Sequence, residues 1–396
     1  YHPAMLLGLL IYGYATGVFS SRKIERATYD SVAFRYIAAN QHPDHDTLAT
    51  FRRRFLPEIE GLFVAVLQLA GQMGVLKLGT VALDGTKMPA NASRHSALSW
   101  GHANKIEAQL RQEVAELLAL AEQADAADLP DELSIPAELE RRETRLAAIA
   151  AAKAEIEARA AARFAEEQAE YEAKLTAREE KMRRTGKKPG GKPPAPPVAG
   201  PRDKDQVNLT DPDSRIMKTQ QGFDQCYNAQ AAVDTETMLV VGQAVTQAGN
   251  DYGQVGSMLE RLTELPAPLG RIDHLLADSG YCSEDNIELA CTAEIEPLFA
   301  LGREAHHRPW RERCAAPPPL DPDASPLERM AHRLKTQEGR ALYALRKQTV
   351  EPVFGIIKSV MDFRQFLLRG LDKASGEWSL VTLSWNIKRM FALQPA

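Results

Sequence analysis

The segment Val75-Leu76-Lys77-Leu78-Gly79-Thr80-Val81-Ala82-Leu83-Asp84-Gly85-Thr86-Lys87 decides how this chain folds. Val75, Leu76, Leu78, Val81 and Leu83 make an apolar run of strand length that Gly85 then breaks, so the run reads as a strand with Asp84 at its C-terminal end. A carboxylate just past a buried strand has its backbone fixed by the sheet while its side chain emerges at the rim, where packed α/β domains place function. The same logic selects Asp278, which follows the strand His274-Leu275-Leu276-Ala277. A third acid, Glu351, stands at the front of an apolar-periodic helix through Val353, Ile356, Ile357 and Val360.

Outward from that strand the chain alternates element types. Ala229, Ala231 and Val233 alternate, and Leu239, Val240, Val241, Ala244 and Val245 follow the Asp234-Thr235 turn, which predicts a β-hairpin beginning near Asn228. A helix is expected over residues 252–265, strands over 272–277 and 297–301, and helix again over 341–393 with a break near 370–376. Together these describe a mixed α/β domain, interrupted after its first strand by a helical insert. In the insert, Ile106, Leu110, Val114 and Leu117, then Leu139, Leu146, Ile149 and Ile156, recur at spacings of three, four and seven. Pro130 and Pro136 bracket a turn, so two antiparallel helices form a coiled-coil hairpin. Arg183, Arg184, Lys187, Lys188 and Lys192 with a Pro-rich run over 193–201 read as a flexible cationic linker.

Upstream of the strand, residues 3–74 are helical throughout. Leu6, Leu9, Leu10 and Tyr14 share one face, and Leu62, Val66, Leu67 and Leu69 another. Ser20-Ser21 is the expected cap of a helix carrying Arg22, Lys23 and Arg26, and Asp46-Thr47 of one carrying Arg52, Arg53 and Arg54. Two short basic helices outline a helix-turn-helix, although the same arginines equally suit a solvated face. The expected organisation is therefore an N-terminal all-α domain over 1–74, an α/β domain split into 75–95 and 205–396, and the helical insert with its linker over 96–204.

Composition narrows the function classes. With 396 residues, 44% hydrophobic and 26% charged, the chain has material for two or three cores and is neither disordered nor fibrous. Cys226, Cys282, Cys291 and Cys314 have neither zinc-ligand nor disulfide-framework spacing, which reads as an intracellular protein. The longest apolar run, Met5 to Phe19, is shorter than the roughly 20 residues a bilayer needs and is expected as a buried helix, so no membrane partner is expected. No signal peptide is evident, and with Tyr1 in first place the natural N-terminus is expected upstream. A net charge of −5 by itself argues against nucleic acid, but residues 105–180 hold 10 basic against 19 acidic groups, whereas residues 329–396 hold 12 against 5. The acidity belongs to the insert, and the segment that carries Glu351 is free to meet phosphate.

Three converging carboxylates would make a site for hard cations such as Mg²⁺, which take oxygen ligands. Two such ions about 4 Å apart activate a water or 3′-hydroxyl and stabilise the leaving oxygen of a phosphoryl displacement. Gly85 and Gly280 would let a phosphate approach closely. Each acid also has a structural reading: a turn residue at Asp84, a tight turn at Asp278-Ser279-Gly280, and a first-turn residue at Glu351 with Pro352 in the first helical position. Asp84-Gly85-Thr86 also suggests the phosphatase loop of haloacid dehalogenases, but Ala82 stands where that chemistry needs its nucleophilic Asp. His42, Asp44, His45 and Asp46 around Pro43 read as a turn and cap rather than metal ligands.

These residues resemble the DDE-type transposases of bacterial insertion sequences. Asp84 lies in Leu83-Asp84-Gly85-Thr86-Lys87 followed by Ala90-Asn91-Ala92-Ser93, Asp278 in Ala277-Asp278-Ser279-Gly280-Tyr281, and Glu351 in Thr349-Val350-Glu351-Pro352-Val353-Phe354-Gly355. Tyr227-Asn228-Ala229-Gln230 and Val233-Asp234 look like the family's second strand, and the N-terminal helices are similar to the domain that precedes its catalytic core. The resemblance implies an α/β catalytic domain with a ribonuclease-H-like mixed sheet and flanking helices, with Asp84, Asp278 and Glu351 as catalytic metal ligands. It also implies Mg²⁺, with Mn²⁺ as a substitute, for hydrolysis at the element ends and attack of the freed 3′-hydroxyl on target DNA. The implied partners are double-stranded DNA, as terminal inverted repeats and as target, and a second copy of the chain as a homodimer on that DNA, in the cytoplasm at the nucleoid.

The family signature around the Glu is Tyr, two residues, Arg, three residues, Glu, six residues, Lys. Tyr343, Arg346 and Lys358 fit it, except that four residues separate Arg346 from Glu351, which makes Lys347 the alternative to Arg346. Lys358, seven residues or about two turns on, shares the face of Glu351. By resemblance these basic residues contact DNA phosphates, as would Arg364 and Arg369 on the continuation of the Glu351 helix and Arg52 and Arg53 in the N-terminal helices. The alternative function is a relative that binds DNA without cutting it; a third reading is an interaction protein that works through its coiled coil.

Overall fold

The computed structural model describes residues 1–123, 134–187, 190–220, 222–302, 317 and 319–394. They form two compact units, Tyr1–Asn91 with Arg215–Ala396 and Ala92–Ser214.

The first unit begins with α1 (Pro3–Thr16), α2 (Ser21–Asp30), α3 (Val32–Ile37), α4 (His45–Arg54) and α5 (Leu56–Gln72), which lead into strand β1 (Leu78–Pro89). Leu6, Leu9, Leu10 and Tyr14 are the buried face of α1. In α5 the buried face is Ile59, Phe63, Leu67 and Ala70, while Leu69 is exposed, so this helix is turned from the orientation its leucines suggest. The cap of α4 is Asp44, whose Oδ1 accepts from the Thr47 N–H at 2.7 Å; Asp46 falls instead in the first turn, where a negative charge suits the helix dipole. Ser20 precedes α2 without a side-chain capping bond. No single described helix is long and apolar enough to cross a membrane.

These helices fall in the same contact-defined compact unit as the sheet. A buried polar chain helps hold them there. The Tyr14 hydroxyl donates to Glu377 Oε1 at 2.7 Å, and Arg52 Nη1 donates to the Tyr14 oxygen at 3.0 Å. Arg52 is therefore a core residue, 9% exposed, and not part of a basic outer face. Its guanidinium offsets the negative end of that chain, which is why an arginine is tolerated there. Arg53 and Arg54 remain exposed.

The second unit comprises β2 (Ala97–Ser99), α6 (Trp100–Gln123), α7 (Ile135–Thr185) and β3 (Gln206–Asn208). Helices α6 and α7 are antiparallel: Glu113 pairs with Arg142 and Glu107 with Lys153, both at 2.7 Å. Their shared core is Leu98, Ala103, Leu110, Ile149, Ala152, Ile156 and Val207. Pro136 sits in the first turn of α7, and Pro130 lies outside the described residues. Since β3 pairs with β2, this compact unit runs on to Ser214. The Pro-rich segment is not a free linker: Arg163 donates to the Gly200 carbonyl at 3.2 Å and Arg202 pairs with Glu167 at 3.0 Å, so the chain returns along α7.

The first unit resumes with β4 (Arg215–Thr219), β5 (Gly222–Asp234), β6 (Val240–Thr246), α8 (Val255–Thr263), β7 (Gly270–Ala277), α9 (Glu284–Thr292), β8 (Glu296–Phe299), α10 (Pro326–Arg333), α11 (Gln337–Ser359) and α12 (Leu371–Leu393). Order therefore returns well before Asn228. The sheet runs β4-β5-β1-β7-β8, with β6 also on β5. β5 is antiparallel to β1 and β6, whereas β1, β7 and β8 are parallel. This is the mixed sheet with flanking helices of a ribonuclease-H-like domain. Helix α11 packs on β1, β5 and β7, and α12 on β6.

Two details depart from the sequence reading at the places that matter most. β1 does not end at Gly85: it continues to Pro89 because β5 goes on pairing with it, Gly85 opposite Gln230 and Pro89 opposite Cys226. What ends is its parallel neighbour, since the β1–β7 pairing closes at Ala82 and Leu276. Glu351 is not at the front of a helix either; α11 starts at Gln337, and Pro352 lies inside it. The helix then stops at Ser359, so Arg364 and Arg369 lie on the connection to α12 and not on a continuation of the Glu351 helix. The break comes at residues 360–370, and Gly376 is inside α12, where a Cβ would collide with the side chain of Leu56.

Candidate active site

Asp84 emerges from β1 just beyond the point where β7 ceases to pair, and Asp278 directly follows β7. Two carboxylates from adjacent parallel strands thus reach the same rim of the sheet. Asp84 Oδ1 accepts from the Gly85 N–H, and Asp278 Oδ1 from the Gly280 N–H, each at 2.8 Å. These short backbone bonds fix both carboxylates by the local chain.

The third acid reaches them through a cation. Arg346 Nη1 lies 3.1 Å from Asp84 Oδ2, and Arg346 Nη2 lies 3.1 Å from Glu351 Oε1. Arg346 is 8% exposed, whereas Lys347 next to it is exposed. Position on the helix explains the choice: Arg346 and Val350 are buried against the sheet, and Lys347 points away from it. Between the two candidates for the signature position, only Arg346 touches the carboxylates. Burial pushes the Asp84 carboxyl up to about 6; the Gly85 N–H and Arg346 act against that rise, and Asp278 and Asp251 reinforce it. Burial opposes the Arg346 charge, yet Tyr343, Asp84, Glu351 and Asp278 outweigh it and raise the guanidinium pKa.

A fourth carboxylate, Asp251, is missing from the sequence reading. Its Oδ1 accepts from Asn228 Nδ2 at 2.6 Å and Gln230 Nε2 at 2.8 Å, with Lys87 Nζ at 3.4 Å. Gly85 makes the room: a Cβ there would stand 2.6 Å from Asp251 Oδ1 and collide with Gln230 Nε2. Tyr281, fully buried, donates to Gln230 Oε1 and so ties the turn after Asp278 to β5. A signal for Asp251 did exist. β6 is antiparallel to β5 and hence runs in the direction of β1 and β7, so an acid past its C-terminal end meets the same rim as Asp84 and Asp278.

The basic residues divide. Lys358, on α11, donates to Thr86 Oγ1 and is partly buried; burial lowers its pKa, and Asp84 is among the groups that resist this. Tyr343 neighbours Arg346, with burial raising its pKa. Arg364 pairs with Asp362 at 2.8 Å and Arg369 donates to the Asn91 carbonyl at 2.9 Å, on a connection also held to β1 by Phe366 N–H to the Pro89 carbonyl at 2.9 Å. Arg53 is exposed, and Arg52 is withdrawn into the core.

Against this geometry the comparisons are decisive: residues 197–387 match the family described as Transposase DDE domain, and residues 1–54 match Transposase domain (DUF772). The chain is a DDE transposase of the insertion-sequence type. No curated protein and no solved structure matches it. The matched DDE segment includes Asp278, Arg346, Glu351 and Lys358, and the fold brings Asp84, which precedes it, to Arg346. As a transposase the protein acts on DNA.

The donor set suits a hard divalent cation, since Asp84, Asp278 and Glu351 offer only oxygen. Among the described residues no three His, Cys, Asp or Glu side chains stand close enough together to hold a metal ion as they are placed. Instead, the guanidinium of Arg346 pairs with Asp84 and with Glu351.

Proposed function

We propose that this transposase cuts DNA at the ends of its element by metal-dependent phosphodiester hydrolysis and joins the resulting 3′-hydroxyl to target DNA. Asp84, Asp278 and Glu351 are the catalytic residues and would hold Mg²⁺, for which Mn²⁺ would substitute. The observation that carries this reading is the Arg346 bridge, which links Asp84 on the sheet to Glu351 on α11 beside Asp278. When bound, the metal ions supply charge for the attacking and leaving oxygens of an in-line displacement.

The chain's own residues do the rest. Gly85 and Gly280 N–H groups orient the Asp84 and Asp278 carboxylates. Arg346, paired with both Asp84 and Glu351, keeps the buried Asp84 charge compensated until metal and phosphate arrive, and its guanidinium then has a phosphate oxygen as its alternative partner. Lys358, beside Thr86 on the same strand as Asp84, is positioned to take a DNA phosphate, and Arg369, Arg364 and Arg53 offer exposed charge for the flanking backbone. The proposed setting is a homodimer on terminal inverted repeats in the cytoplasm.

The test is nicking of a labelled terminal-repeat duplex with Mg²⁺ against Ca²⁺. The proposal expects cleavage with Mg²⁺ and binding without cleavage with Ca²⁺. Binding with no cleavage in Mg²⁺ or Mn²⁺ would make the protein a DNA-binding relative that has lost catalysis.

A further inference from the structure

The helical insert segregates its charge. Along the shaft of the hairpin, cations are mostly paired with acids: Arg142 with Glu113 and Glu138, Lys153 with Glu107, Arg159 with Glu155, Arg163 with Asp205, and Lys174 with Glu170. From Lys181 to Lys192 the pattern reverses. Six of these twelve positions are basic (Lys181, Arg183, Arg184, Lys187, Lys188 and Lys192) and none is acidic. Among the described residues, Lys181, Arg183, Arg184, Lys187 and Lys192 are exposed and make no ion pair.

The described residues on either side of 188–189 are anchored to α7. Past the α6–α7 core, which reaches Ile156, α7 continues to Thr185, a length of roughly 40 Å at 1.5 Å per residue. It ends at Gly186, whose φ of +64° turns the chain back. The Pro-rich segment then returns along α7. Arg178 donates to the carbonyls of Gly190 and Gly191 at 3.4 Å, Pro194, Pro196 and Val198 line one cleft with Glu167 and Tyr171, and Arg163 and Arg202 fasten the far end. Proline holds the returning strand extended at little entropic cost. Lys181, Arg183, Arg184, Lys187 and Lys192 thus lie together at one end of a helix–polyproline finger. Helix-dipole stabilisation accounts for cations in the last turn of α7 but not for Lys187, Lys188 and Lys192 beyond it.

We propose that the tip of this finger is a DNA-backbone contact, which grips phosphates without reading sequence. Unpaired cations on an exposed tip gain by counterion release from a polyanion, and an acid-balanced shaft would be repelled by the same surface. This rests on the transposase reading, which supplies DNA as the polyanion at hand.

The experiment uses the full chain and a fluorescent duplex of arbitrary sequence, with affinity measured across salt concentrations. The test variant carries Lys181→Ala, Arg183→Ala, Arg184→Ala and Lys187→Ala together; Lys174→Ala, on the paired shaft, is the control. Circular dichroism of both checks that the helices remain. Each phosphate contact contributes about 0.9 to the slope of log K against log salt, so the variant's slope should fall by about 2 to 4 and the control's by none. An unchanged slope in the variant, with wild-type protein binding normally, overturns the inference and leaves the transposase reading standing. Wild-type protein that binds no DNA at any salt overturns both.

Discussion

Arg346 holds Asp84 at 3.1 Å from one guanidinium nitrogen while the other lies 3.1 Å from Glu351. The arginine is nine-tenths buried and Asp84 is largely buried, whereas the Glu351 side chain is half exposed, so the bridge runs from a desolvated end on the sheet to a solvent-facing end on α11. The bridge joins Asp84 to Glu351 through a cation and accommodates the extra residue in the signature spacing. A helix carries Arg346 and Glu351 at five residues apart, and the long guanidinium arm absorbs the difference.

Removing that bridge separates Arg346 from its neighbour. Arg346→Ala leaves the buried Asp84 charge uncompensated and should cost about 3 kcal/mol of stability, visible as a lowered midpoint in urea. Lys347→Ala, at an exposed position without such a contact, should stay within about 0.5 kcal/mol of wild type.

The raised Asp84 pKa makes the site a stability liability. Its folded-state value of about 6 lies above the ordinary 3.8, so its contribution to stability is complete below about pH 4 and is lost as pH rises through 6. Asp84→Asn should therefore be more stable than wild type at pH 7.5, by up to roughly 3 kcal/mol, and should lose most of that advantage at pH 4. Thermal melts at the two pH values check it. Mn²⁺ affinity of the wild type should rise steeply between pH 5 and 7, because the metal competes with the proton on Asp84.

Gly85 leaves space for Asp251 and Gln230. Gly85→Ala should displace Asp251 from Asn228 and Lys87, destabilise the fold by about 1–3 kcal/mol and lower Mn²⁺ affinity. Asp251→Asn retains the volume and should lower Mn²⁺ affinity about tenfold with a smaller loss of stability, as supporting carboxylates around metal sites do. Isothermal titration with Mn²⁺ and urea melts of both variants measure the two effects.

The N-terminal helices dock on α12 through Glu377, which also accepts from the Leu367 and Leu368 N–H groups at 2.8 and 3.0 Å. Burial raises its pKa. Arg52→Ala should weaken this buried chain by about 3 kcal/mol, whereas Arg53→Ala should leave the melting temperature unchanged and act only on DNA affinity. Thermal melts and anisotropy of the pair distinguish a core arginine from a surface one.

How far the sequence reveals all this follows from the range of each determinant. Asp84 and Asp278 are legible because strand alternation and a following glycine are local signals, and their convergence follows from two parallel neighbours. The end of β1 is misread because Gly85 looks like a breaker, while the pairing that overrides it comes from β5, more than a hundred residues away. Pro352 is misread for a related reason: its fixed φ suits a helix start, yet α11 carries it internally and the preceding turns belong to the same helix. Arg52 fails because three consecutive arginines carry no sign of which one faces inward until Tyr14 and Glu377 are in place. The signal for Asp251 is only partial in the sequence: the hairpin sets β6 antiparallel to β5, but the pairing of β5 with β1 is needed to place its end at the rim of Asp84.

The most direct measurement is Mg²⁺-dependent cleavage of an end-repeat duplex by Asp84→Asn, Asp278→Asn and Glu351→Gln, each assayed beside its DNA affinity in Ca²⁺. The account predicts that every variant loses at least about a thousandfold in cleavage rate, on the scale of a lost catalytic group, while affinity stays within a few fold. A variant that still cleaves at a rate near wild type would remove that carboxylate from the site and contradict the assignment of the three acids as one metal centre.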